Sequence, residues 1–494
     1  MNFDNGIESG IQKAFRKNGA LYANYEARDG RIYGLKKSKL CYSLEDEEIL
    51  IYTNWKAYTM DCFFKNISLG LIPIVLISFY SCNSDPILEN NKIIETSEPY
   101  LALGYVELPY GNDNLLSELD RGDRFGRDHD KIGDVDGDGV IDLVVGARSD
   151  DDGEIDAGAV YILFMNHDGS LKSHQKISMI SGGFSDVLNE GNFFGYGVAG
   201  IGDYNYDGIP DIAVSSPVPP NNSLYIIHLN TDGTVKSYTK NQNIIAEGLT
   251  AIGDINGDNR IDIVACNPGS DDGGRDRGAI DIIFLNEDSY VENLKTITIS
   301  SSKGGFGSGI EDGDKFGGRE VAMMGDIDKD GTIELAVGAF MSDEGKGAIW
   351  MLSLNSSSFN VESKIKITEG MGGFTDQLIT TVNPNGSYGA NFGHAMAAIG
   401  DVDGDGVVDL ITGANQQYEG WGYILYLNND KTVKSFSIIN NSNGGFNLNL
   451  PDEGRFSRSI SYIGDLKGDG SIAVNLGGGA GDTGSLYTLF LKPN

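Results

Sequence analysis

The sequence predicts an all-β protein: a β-propeller of six four-stranded blades closed by an N-terminal strand, with seven blades as the alternative. Three observations predict it. A nine-residue acidic loop recurs six times, at intervals of 69, 51, 72, 75 and 64 residues. Each recurrence brings the same succession: strand, acidic loop, strand, loop, strand, hairpin, strand. The last copy ends one strand short, while an unassigned strand, residues 100–108, precedes the first. A period of this size marks one supersecondary unit copied along the chain, and four antiparallel strands per unit make a propeller blade.

The acidic loop has the chemistry of a calcium cage. Its first copy places Asp134, Asp136, Asp138 and Asp142 at positions 1, 3, 5 and 9, with Gly139 at position 6 and Val140 offering its carbonyl at position 7. The second is Asp203, Asn205, Asp207, Ile209 and Asp211; the third is Asp254, Asn256, Asp258, Arg260 and Asp262. The fourth is Asp326, Asp328, Asp330, Thr332 and Glu334, and the fifth Asp401, Asp403, Asp405, Val407 and Asp409. Calcium takes six to eight oxygen ligands and accepts irregular geometry. Glycine at position 6 permits a left-handed turn, and Asn259, which replaces it once, is the next most tolerant residue. An EF-hand would close at position 12 between helices. Here the cage closes at 9 and runs straight into Leu143-Val144-Val145, Ile212-Ala213-Val214 or Ile263-Val264-Ala265, so the loop joins two strands. Asp-Gly stretches also make plain turns, but five copies in register argue for Ca2+ at five sites. The sixth copy, starting at Asp465, carries Lys467 at position 3 and Ala473 at position 9, and is expected to be empty or very weak.

Shared sequence flanks the cages. Phe125-Gly126, Phe194-Gly195, Phe316-Gly317, Phe392-Gly393 and a drifted Phe456-Ser457 precede them; Gly146-Ala147, Gly338-Ala339 and Gly413-Ala414 follow. On these motifs the chain resembles FG-GAP repeat proteins, the β-propeller of integrin alpha subunits and its bacterial relatives, over roughly residues 97–494. The resemblance implies a calcium-braced, extracellular propeller, usually seven-bladed, that binds macromolecules. The third copy lacks Phe-Gly, and the second has Ser215-Ser216-Pro217 in place of Gly-Ala; both read as drift.

In the first copy the third and fourth strands are residues 159–164 and 171–179, joined by the hairpin signal Asn166-His-Asp-Gly-Ser170. The N-terminal strand supplies what the last copy lacks, which gives the six-blade closure. Alternate loops of antiparallel strands emerge at opposite ends, so the cages and these hairpins share one face. The other face collects loops 149–154, 270–274, 342–344 and 416–421, and the set Gly182-Gly-Phe184, Gly304-Gly-Phe306, Gly372-Gly-Phe374 and Gly444-Gly-Phe446. Binding residues concentrate on such loops, so the ligand face is expected opposite the calcium loops.

Apolar residues make up 40% of the chain and aromatics 10%, enough for a sizeable core. Net charge is −34, and residues 83–494 hold 27 Lys+Arg against 62 Asp+Glu. No basic groove is present to neutralise phosphates, which argues against nucleic acid. Crowded carboxylates repel, so bound metal should stabilise the fold. Cys41, Cys62, Cys82 and Cys266 show neither disulfide nor zinc spacing. Cys82 ends a 14-residue apolar run, 67–80, plus Ser81; this is short for a membrane span and suits a signal-peptide core. Small residue then Cys resembles a bacterial lipoprotein signal, although Phe79 departs from the usual Leu. The expected organisation is therefore residues 1–59 unassigned, an extension upstream of a start at Met60; 60–82 a signal with lipidated Cys82; 83–96 a polar tether; and 97–494 the propeller. That predicts a cell-surface protein, a bacterial outer-membrane lipoprotein held to the membrane by its lipid.

Catalytic constellations are absent from the sequence. The five histidines form no metalloprotease pair, and there is no nucleophile elbow. Asp128-His129-Asp130 is expected to be a solvated loop rather than a general base. Residues 479–484 match a dinucleotide fingerprint in letters only, with no helix to follow. Arg121-Gly122-Asp123 is the repeat's own loop rather than an adhesive tripeptide. Tyr418 and Trp421 would either stack on sugars or pack within their loop. The reading is a calcium-stabilised surface binding or adhesion module with an unidentified protein or glycan ligand. A polysaccharide-binding or lyase-type propeller is the alternative, with Arg275 and Arg277 near Asp271 and Asp272 the closest cluster, and a structural surface protein is a further one.

Overall fold

The computed structural model describes residues 99–109, 113–286, 295–383, 386–451, 455–478 and 484–493, with the backbone of five short strands between residues 3 and 33. The chain divides into two units, Met1–Glu95 and Thr96–Asn494. In the first, Phe3–Asp4 pairs with Ile7–Glu8, and Gly10–Phe15, Leu21–Arg28 and Arg31–Tyr33 form a three-stranded antiparallel sheet. Cys82, its apolar run and the tether lie outside the described residues.

The second unit is built of six four-stranded antiparallel blades. Blade 1 runs outward through Phe125–Gly133, Asp142–Ala147, Ala159–Met165 and Leu171–Ile177. Blade 2 comprises Val198–Gly202, Asp211–Ser216, Ser223–Leu229 and Val235–Gln242; blade 3 comprises Gly248–Gly253, Asp262–Asn267, Ala279–Ile283 and Thr296–Ser300. Blade 4 is Phe316–Gly325, Ile333–Ala339, Ala348–Leu354 and Val361–Ile367, and blade 5 is Phe392–Gly400, Asp409–Ala414, Trp421–Leu427 and Val433–Ile439. Blade 6 takes Ile460–Gly464, Ile472–Gly478 and Ser485–Pro493 from the C-terminal end, and its outer strand is Tyr100–Leu108. The closing register runs from Leu486 opposite Leu108 to Pro493 opposite Tyr100. The six-blade closure expected from the sequence is thus the observed one, and the seven-blade alternative is set aside.

Strand composition follows position in the blade. Second strands such as Asp142–Ala147 are buried along their whole length and read as continuous apolar runs, because a blade packs against each face. Fourth strands such as Leu171–Ile177 (Leu-Lys-Ser-His-Gln-Lys-Ile) are polar because their outer edge meets water. First strands of successive blades touch in a closed ring around the axis. Six apolar clusters form the core, one at each blade-to-blade interface.

The repeated motifs make these interfaces. A Cβ on Gly146 would lie 2.1 Å from the carbonyl oxygen of Gly195, and one on Gly338 would lie 1.8 Å from that of Gly393. The Gly of each Gly-Ala pair therefore leaves room for the backbone of the next blade's Phe-Gly. The two departures from the repeat meet at one interface. Ser215, in the glycine slot of blade 2, faces blade 3, the blade that lacks Phe-Gly, and its Oγ donates to Ala246 O at 2.7 Å. One substitution fits the other.

The Gly-Gly-Phe loops are also corrected. They were expected on a variable binding face, but Phe184, Phe306, Phe374 and Phe446 are each at most 3% exposed. Phe184 stacks on Phe194 at 4.7 Å and Phe374 on Phe392 at 4.6 Å, so each plugs the interface with the next blade. A buried aromatic ring of this size stabilises by about 1.5–3 kcal/mol. Two elements were not anticipated: the short helix Asp113–Glu118 and the hairpin Thr380–Asn383 with Gly386–Gly389. Among the described residues no helix is long and apolar enough to cross a membrane.

Candidate metal centres

Each acidic loop closes on its own first residue. Asp134 Oδ1 accepts from the N–H groups of Gly137 (2.8 Å) and Asp138 (3.0 Å), and Oδ2 from Gly139 (2.8 Å). Asp203, Asp254, Asp326 and Asp401 accept equivalent bonds from positions 5 and 6. The sixth loop keeps this turn, with Asp465 accepting from Asp469 and Gly470. Position 6 takes the left-handed conformation in every copy, at φ 89° for Gly139 and 66° for Asn259.

Position 9 ties the cage to the blade. Asp142 is 1% exposed; it accepts from Val135 N at 2.9 Å and, on the third strand, from Met165 N at 3.0 Å. Asp211 accepts from Tyr204 and Leu229, Asp262 from Ile255 and Leu285, Asp409 from Val402 and Leu427, and Glu334 from Ile327. Burial pushes the carboxyls of Asp142 up to about 6 and of Asp262 and Asp409 up to about 7, against the lowering effect of these backbone bonds. A cation beside them would reverse that bias. Ala473 leaves the sixth loop without this clamp.

Three loops bring carboxylate oxygens from positions 1, 3 and 9 within 4.8 Å of one another: Asp134, Asp136 and Asp142; Asp326, Asp328 and Glu334; Asp401, Asp403 and Asp409. These clusters could hold a metal ion. The second and third loops place Asn205 and Asn256 at position 3, so they converge with fewer charges. Position 5 also closes a local turn with one oxygen: Asp138 Oδ1 accepts from Val140 N at 2.9 Å, and Asp207, Asp258, Asp330 and Asp405 do the same with Ile209, Arg260, Thr332 and Val407. An all-oxygen donor set with a flexible loop fits a hard divalent cation rather than a soft one.

Sequence reasoning missed the lysines. Lys172 on the fourth strand of blade 1 reaches Asp136 (2.7 Å) and Asp138 (2.5 Å). Lys236 and Lys434, at the same strand position, reach Asp207, and Asp403 with Asp405. Their recurrence as the second residue of Leu171-Lys172, Val235-Lys236 and Val433-Lys434 was a legible signal. At the fourth cage, Lys431 arrives from the blade 5 hairpin, 7% exposed, and pairs with Asp328 (2.7 Å) and Glu334 (3.2 Å).

The axis was also misread. Asp128, His129 and Asp130 are not a solvated loop; they stand on the first strand of blade 1, with Asp128 3% and His129 2% exposed. His129 Nδ1 meets Ser461 Oγ of blade 6 at 2.8 Å, and Asp130 accepts from Gly200 N of blade 2 at 3.1 Å. Arg121-Gly122-Asp123 is a loop, as expected, and Asp123 is turned inward to accept from Asp120 N. Arg275 and Arg277 pair with Asp276 and Asp312, not with Asp271 and Asp272. Residues 479–483 lie outside the described residues.

An FG-GAP-like repeat family model matches residues 203–265. Phosphatidylinositol-glycan-specific phospholipase D of Bos taurus is 30% identical over 176 residues, 33% of this chain and 21% of that protein. Integrin alpha-2 of Mus musculus is 30% identical over 177 residues, 34% of this chain and 13% of the integrin. Integrin alpha-4 of Xenopus laevis is 25% identical over 312 residues, 61% of this chain and 26% of the integrin. The aligned segments thus span about a quarter or less of each relative's length. The six-bladed ring, its Phe-Gly and Gly-Ala interfaces and these likenesses make the chain an integrin-alpha-like FG-GAP β-propeller.

Proposed function

We propose that the chain is a calcium-stabilised propeller that acts outside the cell as a surface binding or adhesion module. The observation that carries this reading is the gathering of five oxygen-lined loops at one end of an integrin-alpha-like ring, which leaves the loops of the other end free to meet a ligand. Calcium at the cages would rigidify the strand pairs that carry those loops, by neutralising carboxylates that otherwise repel. The ligands would be Asp134, Asp136, Asp138, Asp142 and their equivalents, with the carbonyls of Val140, Ile209, Arg260, Thr332 and Val407 completing each site. Lipidation at Cys82 would hold the module at a membrane surface. A binding role rather than a lyase role is supported by the bonds that the buried His129 and His394 make to Ser461 and to Arg458 O, and by the pairing of Arg275 and Arg277 with Asp276 and Asp312.

The test is attachment. Purified protein should adhere to a panel of immobilised matrix proteins and glycans in calcium and lose that adhesion in EDTA. Retention of full adhesion in EDTA, or no bound calcium in native mass spectrometry, counts against the reading.

A further inference from the structure

Ten arginines lie in residues 96–494, and six of them gather around the axis at the end away from the cages: Arg124, Arg127, Arg148, Arg319, Arg455 and Arg458. They arrive from different blades. Arg127 and Arg319 stand on the innermost strands of blades 1 and 4, Arg148 follows the second strand of blade 1, and Arg458 leads into blade 6. Two of the guanidiniums sit on one ring: Tyr196, entering blade 2, has Arg148 at 4.0 Å and Arg319 at 4.7 Å from its centroid. Arg148 is 7% exposed, and its Nε has no hydrogen-bond partner.

Concentrating positive charge this way costs mutual repulsion, and it stands apart from a chain whose net charge is −34. Burial and the neighbouring arginines depress Arg127 to about 9 and Arg148 to about 10. Among the described residues, Arg319 alone of the six has an acid within ion-pair distance, Glu247 at 3.4 Å. Asp128 and Glu320, deeper on the axis, are pushed by burial well above the usual carboxylate range, towards their neutral forms. A buried guanidinium Nε without an acceptor is a donor awaiting one, and arginine forks match planar or tetrahedral oxyanions.

A second feature adjoins the same rim. Tyr418, 62% exposed, stacks on Trp421 at 5.3 Å, and Trp421 Nε1 has no partner. Backbone joins this pair to the arginines: Phe456 N, next to Arg455, donates to Glu419 O at 3.1 Å. An open aromatic face beside charged donors suits a ring that is apolar on one side and acidic at its edge.

We infer that the axial mouth opposite the cages binds an acidic glycan, with the carboxylate or sulfate of one sugar held by Arg148, Arg455 and their neighbours and an adjoining sugar ring stacked on Tyr418. The inference rests on the loop face being the binding face, and it requires neither calcium nor cell attachment.

Isothermal titration of the full chain decides it, with three probes: tetragalacturonate, its fully methyl-esterified and therefore neutral form, and tetraglutamate peptide. A sulfated chondroitin tetrasaccharide identifies which acid group is preferred. Tetragalacturonate or the sulfated probe should bind at least tenfold more tightly than the ester and the peptide. Arg455→Ser and Tyr418→Ala, both exposed, should weaken it at least fivefold with an unchanged melting temperature; Arg148→Gln should abolish it. Equal binding of the ester overturns the role of the arginines, and equal binding of the peptide overturns the glycan. Binding of neither acidic sugar, or undiminished binding by Arg455→Ser, overturns the site. Loss of adhesion with sugar binding intact would count against the proposed function and leave this site standing.

Discussion

Glu320 Oε2 accepts a hydrogen bond from the backbone N–H of Ile460 at 2.7 Å, joining blade 4 to blade 6 past the intervening blade 5. The bond closes the axis with one side chain. It also leaves Glu320 Oε1 buried without a partner, as is Oδ1 of Asp128 nearby. Burial, then the neighbouring Asp128 carboxylate, raises Glu320 well above 4.5. The native state thus holds this proton more tightly than the unfolded chain. The stability it contributes is fully present below pH 4.5 and is lost as pH rises through the native value. Asp128 acts in the same sense. His129, depressed by burial to about 3, acts in the opposite one: its contribution is lost as pH falls from 6.5 through about 3.

Glu320→Gln separates these effects. The amide oxygen still accepts from Ile460, but the side chain cannot ionise. The variant should melt close to the parent at pH 4 and progressively above it up to pH 9, by a few degrees for each kcal/mol recovered, at about 2–4 °C per kcal/mol. A pH-independent offset between the two melting curves would refute this account.

Removal of the closing strand should be far more damaging than its length suggests. Residues 100–108 form the outer strand of blade 6 and bury Tyr100 and Leu108 in the two flanking interfaces. Deleting residues 97–110 would leave Ser485–Pro493 as an unpaired edge, with an aggregation hazard. Chemical denaturation should show a loss of at least about 4 kcal/mol, the scale of removing two or more large core side chains. Deletion of residues 1–59 should leave the propeller transition in place, and similar curves for the two deletions would contradict the closure.

The cages should fill in order of their charge. Loops 1, 4 and 5 converge three carboxylates, whereas loops 2 and 3 offer asparagine at position 3. Calcium affinity rises with ligand charge, so native mass spectrometry should show tight ions first and a total of five. Loop 4 carries its own cation: the Lys431 ammonium occupies the side of Asp328 and Glu334. Lys431→Met should tighten that site by about tenfold, a difference of about 1.4 kcal/mol, and should lower the melting temperature in EDTA, where the acids lose their partner. A sixth tight ion, or no change in the fourth affinity, would be the contrary result.

Much of this architecture was legible because the repeat imposes it. Positions 1, 5, 6 and 9 of the acidic loop each perform a local backbone task, and local tasks leave a fixed spacing. The missing fourth strand after residue 491 was equally plain, since a blade must be completed from somewhere. What could not be read was whatever depends on contact between blades. Asp128, His129 and Glu320 look like surface acids and a loop histidine until the ring brings first strands together. Phe184 and Phe374 sit in glycine-rich loops, a local signal of exposure that packing on Phe194 and Phe392 overrides. The axial arginines are far apart in sequence and have no spacing to reveal them.

The interface between blades 2 and 3 gives a case in which restoring the repeat's usual residue should weaken the protein. In blades 1, 4 and 6 the second strand presents glycine to the next blade's Phe-Gly backbone, and a Cβ on Gly338 would come within 1.8 Å of Gly393 O. Gly338→Ala should therefore cost about 1–3 kcal/mol through overpacking. Blade 3 has no Phe-Gly, and the room is taken by the Ser215 hydroxyl, fully buried, which donates to Ala246 O at 2.7 Å and accepts from Gly197 N at 2.8 Å. Ser215→Gly would leave a buried carbonyl and a buried N–H without partners, at about 1–3 kcal/mol for the orphaned groups, and would add backbone freedom to the unfolded chain. Both substitutions should lower the denaturation midpoint, although one moves away from the repeat's pattern and the other towards it. A stabilised Ser215→Gly variant would show that the serine is drift after all, and that the two departures at this interface are unrelated.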